Sequence, residues 1–390
     1  MSGLTRPSLA LYIHWPFCVT KCPYCDFNSH VRADVDHARW RAALLADLAY
    51  EAALTPGHRL SSIFFGGGTP SLMHPDTAAA LIAAAKAHWP ADADIEITLE
   101  ANPSSVEAER FAAFAAAGVN RVSLGLQALD DDALQLLGRP HDLAEGLAAL
   151  DMAQRHFPRV SFDLIHSRPG QTPAQWQAEL ARALAFGTEH LSAYQLTIEA
   201  GTRFHSLFTQ GRLALPDEDA AADMFEMTAE MCAASGLPAY EISNHARKGA
   251  ESRHNLAYWT YAPYAGIGPG AHGRRNHLAT ERHRRPETWL TAVETTGHGI
   301  DQETAVTPAE AAREALLMGL RLSSGIDPAQ FARHTGVSLP DAIDTDARQR
   351  LTDWKLLAPL DPLRTTAAGR PLLNRILAEL ASDNISDNQL

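Results

Sequence analysis

Tyr12-Ile13-His14-Trp15-Pro16-Phe17-Cys18-Val19-Thr20-Lys21-Cys22-Pro23-Tyr24-Cys25-Asp26-Phe27 gathers three of the chain's four cysteines into one loop, spaced C-x-x-x-C-x-x-C. So short a loop can turn three sulfurs toward one inorganic cluster while supplying no fourth. On a four-iron cube this leaves one iron open to an outside ligand. A cluster capped by four protein thiolates mainly passes electrons, so the spacing points to chemistry or ligand capture at iron. Zinc is the competing metal, with His14 or His30 completing a Cys3His set, yet structural zinc sites usually pair two knuckles and no second one follows. A disulfide framework is disfavoured. Only four cysteines occur among 390 residues, three of them are crowded together, and no secretory pattern opens the chain, all of which suits a reducing cytoplasm.

Outward from this loop, a short β-rich run followed by an alanine-rich helical stretch repeats six times. The runs are Leu9 to His14, Ser62 to Phe65, Ile95 to Glu100, Arg121 to Leu126, Val160 to Ile165 and His190 to Leu196. Helix starts are marked by Ser104 with Glu107, a capping-box spacing, and by Thr172-Pro173. Gly118 and Gly187 follow helical runs where a left-handed residue turns the chain back. Such alternation builds parallel strands with helical crossovers, and six units predict an α/β partial (β/α)6 barrel. Ligands in such folds gather at the carboxyl ends of the strands.

Candidate residues fall at those ends. Gly66-Gly67-Gly68-Thr69-Pro70 directly follows a strand, and its glycines let backbone approach a ligand closely. No lysine follows, so a phosphate loop is the poorer reading; a plain tight turn stays open. Glu100 ends the third run, and a carboxylate in a barrel mouth is costly unless it meets a cation or donor. Gln127, Arg139 and Asp163 are similarly placed. Further on come Arg253-His254-Asn255-Leu256-Ala257-Tyr258-Trp259 and Tyr264-Ala265-Gly266-Ile267-Gly268-Pro269-Gly270-Ala271-His272. Histidine and tyrosine can ligate heme iron and flat rings stack on a porphyrin; the alternative is a core histidine with satisfied hydrogen bonds. Cys232, beside Met231 and Ala233 on a helix from Glu218 to Ala234, reads as a packed thiol.

With 46% hydrophobic residues the chain can bury two cores, and no apolar run reaches membrane-spanning length. A net charge of −13 argues against nucleic acid. Arg274-Arg275 and Arg282-His283-Arg284-Arg285 form a local basic patch, either a solvated face or a surface for the carboxylates of a substrate or acidic partner. From about Pro308 the texture becomes helical with a short β wing, a winged-helix-like domain better suited to a lid or docking role than to DNA. The polar tail after Ser382 is expected to fray.

The cysteine loop closely resembles the N-terminal signature of radical S-adenosylmethionine proteins, and within them the family of oxygen-independent coproporphyrinogen oxidases and heme chaperones. The resemblance runs from about Tyr12 to His272 by motifs and more loosely to the end of the chain. It implies a 4Fe-4S cluster on Cys18, Cys22 and Cys25, with S-adenosylmethionine (SAM) chelating the open iron. It further implies SAM contacts from Tyr12, Tyr24, Gly67, Gly68, Thr69, Glu100, Gln127, Arg139 and Asp163, and heme handling by His254, Asn255 and Tyr258. Oxidases carry a fourth cysteine two residues past the third; Phe27 stands there, as in the chaperone branch. His166-Ser167-Arg168 departs from the family pattern before Pro169-Gly170-Gln171-Thr172, leaving the wall beside Asp163 open to change.

The resemblance thus implies a heme chaperone passing heme to an acceptor hemoprotein, respiratory or other, with peripheral association with membrane partners; cysteine usage places it in the cytoplasm and the net charge speaks against nucleic acid. An oxygen-independent coproporphyrinogen III oxidase and a plain iron-sulfur electron carrier are the alternatives. The expected division is a barrel over residues 1–200, an extension with the heme-handling segment over 201–305, and the helical domain over 306–390.

Overall fold

A computed structural model describes residues 6–359 and 361–381. The polar tail after Ser382 lies outside the described residues.

The six predicted strands are all present: β1 (Ser8–Trp15), β2 (Arg59–Gly67), β3 (Ala91–Ala101), β4 (Arg121–Gln127), β5 (Arg159–His166) and β6 (His190–Gln195). Each pairs in parallel with the next, in chain order. Helices such as His37–Leu54, Pro75–His88, Leu143–His156 and Pro173–Leu184 make the crossovers. Strand residues such as Leu11, Ile13, Ile63, Phe65, Leu99, Leu124 and Phe162 are buried in one continuous core. Parallel strands covered by crossover helices read as nearly unbroken apolar runs for this reason. Thr172 and Gln175 complete a reciprocal cap. Ser104 accepts from the Glu107 N–H. The Glu107 carboxylate itself turns toward Ser71 and the Asn102 N–H (3.0 Å), tying this helix start to the glycine loop. Gly118 and Gly187 have φ of +105° and +74°, the left-handed turns expected of them.

The sheet does not stop at six strands. β7 (Asn244–Ala246) runs antiparallel to β6, and β8 (Tyr264–Ile267) adds in parallel to the other side of β1. From β8 an antiparallel meander continues through β9 (His272–Arg275), β10 (Leu278–Arg282) and β11 (Ile300–Ala305). The sheet of eleven strands is therefore a barrel wall with an extension grafted beside the strand that carries the cysteine loop.

Two arginines of the basic patch hold that extension in place, so the patch is neither a solvated face nor wholly a free surface. Arg282 is fully buried, with Nε 2.8 Å from Asp47 and Nη2 2.7 Å from Glu51. Arg275 pairs through Nε with Glu51 at 2.9 Å and through Nη2 with Glu303. Four interlocked charges in the interior need this mutual satisfaction, since each alone would pay a large desolvation penalty.

The C-terminal part has its own core, with Leu316, Ile326, Phe331, Leu357, Ile376 and Leu380 packed together. Helices Pro308–Gly319, Pro328–Thr335, Thr345–Asp353 and Leu373–Leu380 supply it, and an antiparallel bridge between Leu357 and Thr365 forms the small wing. No helix among the described residues is long and apolar enough to cross a membrane.

Candidate functional site

The cysteine loop leaves the carboxyl end of β1 and is fastened at several points. The Gly68 N–H donates to the Trp15 carbonyl at 2.7 Å and the Thr69 N–H to the Phe17 carbonyl at 2.9 Å, laying the glycine loop directly under it. A Cβ on Gly68 would meet the Phe17 oxygen at 2.8 Å, the Pro16 carbonyl carbon at 2.9 Å and Cys18 Sγ at 3.0 Å. A Cβ on Gly67, whose φ is +119°, would meet the His14 ring at 2.7 Å. The glycines are thus required by two backbones that nearly touch, and a simple turn is not the explanation.

Cys18, Cys22 and Cys25 are partly exposed free thiols. Thr69 Oγ1 donates to Cys18 Sγ at 3.4 Å. Arg139 Nη1 donates to Cys22 Sγ at 3.3 Å. Its Nη2 donates to the Gly125 carbonyl at 3.0 Å and to Asn102 Oδ1 at 2.5 Å, and Asn102 Nδ2 in turn donates to Thr69 Oγ1 at 3.0 Å. Two cysteines are therefore joined through one polar chain, and buried Arg139 Nε is left without a partner. Burial holds the Cys18 and Cys25 thiols above their ordinary pKa, and repulsion from the neighbouring cysteine thiolates, Cys22 for both, adds to this. A cationic cluster core would reverse that balance, as metals do for coordinating thiols. The donor set fits an iron-sulfur cube. It does not fit a Cys3His zinc site: His14 bonds Tyr12 Oη (3.0 Å) and the Asn28 carbonyl (2.9 Å), and His30 bonds Asn28 Oδ1 (3.2 Å).

Beside the loop opens a cavity of about 360 Å3, with Tyr12, Gly67, Glu100 and Tyr258 among its inner residues and Phe27, His272 and Arg284 at its outer ones. Among the described residues Glu100 has a single hydrogen-bond donor, the Gly67 N–H at 3.3 Å. Burial, and next the Asp163 carboxylate, push its pKa up to about 8. Asp163 accepts from Ser123 at 3.2 Å, and burial raises its pKa as well. Two carboxylates sharing a barrel interior, with no ion-pair partner among the described residues, suit a ligand that brings positive charge, as the sulfonium of SAM does.

The remaining predicted residues are placed as follows. Gln127 closes β4 with a left-handed φ of 69°, and its side chain lies over Gly125, where a Cβ would be 2.8 Å from Nε2. Tyr24 packs against Phe204, and burial raises its phenol pKa. His254 is 1% exposed, and both ring nitrogens are engaged: Nδ1 with Ser62 Oγ at 3.0 Å, Nε2 with Tyr258 Oη at 2.8 Å. Burial lowers its pKa to about 3, so it is neutral. The Asn255 N–H donates to Ser252 Oγ at 3.2 Å and the residue is not in the cavity wall, whereas Tyr258 is. His166-Ser167-Arg168 is buried and does not line the cavity: Arg168 packs against Glu179 at 2.5 Å, and the His166 ring lies 5.2 Å from that of Trp176. Cys232 is buried, its thiol pushed up to about 12 by burial.

Sequence reasoning did not single out Asn28 or Asn102. Asn28 Nδ2 donates to the carbonyls of Pro269 and Arg284, both at 2.9 Å, pinning the cysteine loop to the extension. Each follows a recognised motif by one or two residues, which was the available signal.

Residues 12–183 match the Radical SAM superfamily and residues 306–372 the HemN C-terminal domain. "Heme chaperone HemW" of Escherichia coli (strain K12) is 36% identical over 378 residues, covering 95% of this chain and 97% of that protein. "Radical S-adenosyl methionine domain-containing protein 1, mitochondrial" of Mus musculus is 43% identical over 383 residues, covering 95% of this chain and 87% of that one. Among solved structures, "Coproporphyrinogen III oxidase (HemN) from Escherichia coli is a Radical SAM enzyme" superposes with a TM-score of 0.80 at 22% identity, covering 97% and 90% of the two chains. At that identity the likeness speaks for the fold.

Proposed function

This chain belongs to the radical SAM superfamily and, within it, to the family of the heme chaperone HemW, and from that premise we propose that it is a heme chaperone. It holds heme beside a 4Fe-4S cluster and SAM and passes the heme to an acceptor hemoprotein.

The observation that carries this reading is Phe27. In the oxidase branch the same place holds a fourth cysteine; here it is an apolar ring, 62% exposed, at the outer edge of the cavity. An exposed aromatic at the mouth of a cofactor cavity suits a flat apolar cargo better than another thiolate does.

Cys18, Cys22 and Cys25 would hold the cube, and the cube would supply one iron at which the amino and carboxylate groups of SAM can chelate. The work of this chain's own residues is positioning. Gly67, Gly68 and Thr69 present backbone and a hydroxyl at short range. Glu100, once ionised, accepts from an N–H of the ligand's amino group. Gln127, Asp163, Tyr12 and Tyr24 fix its remaining parts, and Arg139 braces Cys22 and the Asn102–Thr69 chain. Tyr258 faces the cavity, and His254, tied to it at 2.8 Å, acts through it. A respiratory acceptor, peripheral contact with membrane partners and a cytoplasmic location are the finer parts of the same proposal, the last supported by the sparse, unpaired cysteines.

The test is a titration of the anaerobically reconstituted protein with ferric heme, followed by transfer to an apo-hemoprotein. Saturable binding near one equivalent and loss of the bound spectrum to the acceptor are expected. Turnover of coproporphyrinogen III without heme binding would favour the oxidase alternative instead.

A further inference from the structure

The cavity has two chemically opposite halves, and the outer one is unassigned. Its inner half is acidic, with Glu100 at the floor and Asp163 behind it. Its outer half carries His272, Arg284 and the exposed ring of Phe27. In a chain of net charge −13 this is a locally cationic and aromatic rim. His272 and Arg284 are exposed, and neither makes an ion pair among the described residues. They are brought together by the same clasp that holds the cysteine loop, because Asn28 bonds both the Pro269 carbonyl and the Arg284 carbonyl, and the Gly270 N–H donates to the His283 carbonyl at 3.0 Å.

Of His14, His254 and His272, only His272 has a ring with no hydrogen-bond partner among the described residues. His14 has both nitrogens bonded, and burial lowers its pKa to about 4. His254 is equally committed and lies out of reach behind Tyr258. His272, at the start of β9, instead stands opposite Glu281 of β10 in the antiparallel register. Directly opposed residues have Cβ atoms ~5 Å apart on one face. A carboxylate beside a ligating imidazole commonly orients it through the second ring nitrogen.

We propose that the outer half of the cavity is the seat of the iron porphyrin, with His272 as the iron ligand, Arg284 facing a propionate and Phe27 against the macrocycle. This rests on the heme-chaperone reading. Arg284 at the rim attracts a propionate, which sets that edge of the macrocycle toward the rim. A cavity of about 360 Å3 lies near the small end of ligand pockets, ~300–1,000 Å3. A porphyrin seated at its mouth therefore keeps an edge in solvent, where an acceptor can reach it.

The experiment is a ferric heme titration of the full-length, cluster-loaded protein and of His272→Ala and Arg284→Glu. Both side chains are exposed, and cluster iron content with thermal unfolding verifies each variant's fold. The expected result is a histidine-ligated spectrum in the parent, lost in His272→Ala with binding about tenfold weaker or more, and restored in spectrum by free imidazole. Arg284→Glu is expected to bind about tenfold more weakly with the ligand spectrum retained. If His272→Ala keeps both spectrum and affinity, the assignment of the iron ligand is overturned; if Arg284→Glu binds as the parent does, the propionate contact is overturned. A parent protein that binds no heme overturns the chaperone reading itself, an outcome separable from either variant result.

Discussion

Arg139 Nη1 donates to Cys22 Sγ at 3.3 Å, although the two residues are 117 positions apart. The same guanidinium bonds Asn102 and the Gly125 carbonyl, so one side chain from beyond β4 braces the cysteine loop against the ends of β3 and β4. Hydrogen bonds to a charged partner contribute about 1.5–3 kcal/mol. Arg139→Ala is therefore expected to lose cluster iron at least several-fold faster than the parent under anaerobic challenge with a chelator, with the fold retained by circular dichroism. Equal rates of iron loss would contradict the brace.

Gly68 is the tightest point of the loop-on-loop contact. In Gly68→Ala the new methyl meets two backbone atoms and a cysteine sulfur within 3.0 Å, none of them the far end of a flexible chain. Overpacking of this kind costs about 1–3 kcal/mol. The variant is expected to have a lower thermal midpoint and to retain less than half the parent's iron after reconstitution, both read on the same preparation.

Glu100 gives a pH dependence with a definite sign. Its folded-state pKa, pushed up to about 8 by burial first and Asp163 second, lies above the unfolded value of 4.5. The proton is therefore held more tightly in the folded, unliganded protein, and the stability this contributes is lost as pH rises from about 4.5 through 8. Accepting an N–H from the chelating amino group requires the ionised form, so SAM affinity is expected to rise with pH, by up to about tenfold per unit below 8. Isothermal titration at pH 6, 7 and 8 reads this, and Glu100→Gln is expected to bind weakly with a flat profile. A flat profile in the parent would remove Glu100 from the amino-group site.

The barrel strands were legible because parallel strands covered on both faces must be continuously apolar, and Ile63-Phe64-Phe65 or Leu9 to Ile13 leave little alternative. The strand-end residues followed from that placement. The meander was not legible: in β11, Asp301 to Ala305 is exposed throughout, so neither an apolar run nor an alternation marks it. For the same reason the basic patch was misread. Arg275 and Arg282 meet Asp47 and Glu51, more than 220 residues earlier, and only the fold brings that helix beside β9 and β10. His254 shows another limit, since sequence identifies a histidine next to aromatic residues but not that Ser62 and Tyr258 occupy both its nitrogens.

Arg282 itself is a sharp test of the buried network. Arg282→Met removes the charge that lies between Asp47 and Glu51, both of them 0–1% exposed. Removing one partner of a buried ion pair costs about 3–5 kcal/mol. The expected outcome is a loss of that size in urea denaturation; a change under about 1 kcal/mol would mean that the carboxylates neutralise themselves by protonation.

The central claim is a four-iron cube held by three cysteines, with its remaining iron available to SAM. Electron paramagnetic resonance of the anaerobically reconstituted, reduced protein, recorded with and without SAM alongside an iron assay, tests it most directly. The account predicts about four irons per chain and a spectrum that changes when SAM is added. A protein that retains no iron, or a cluster signal indifferent to SAM, contradicts it.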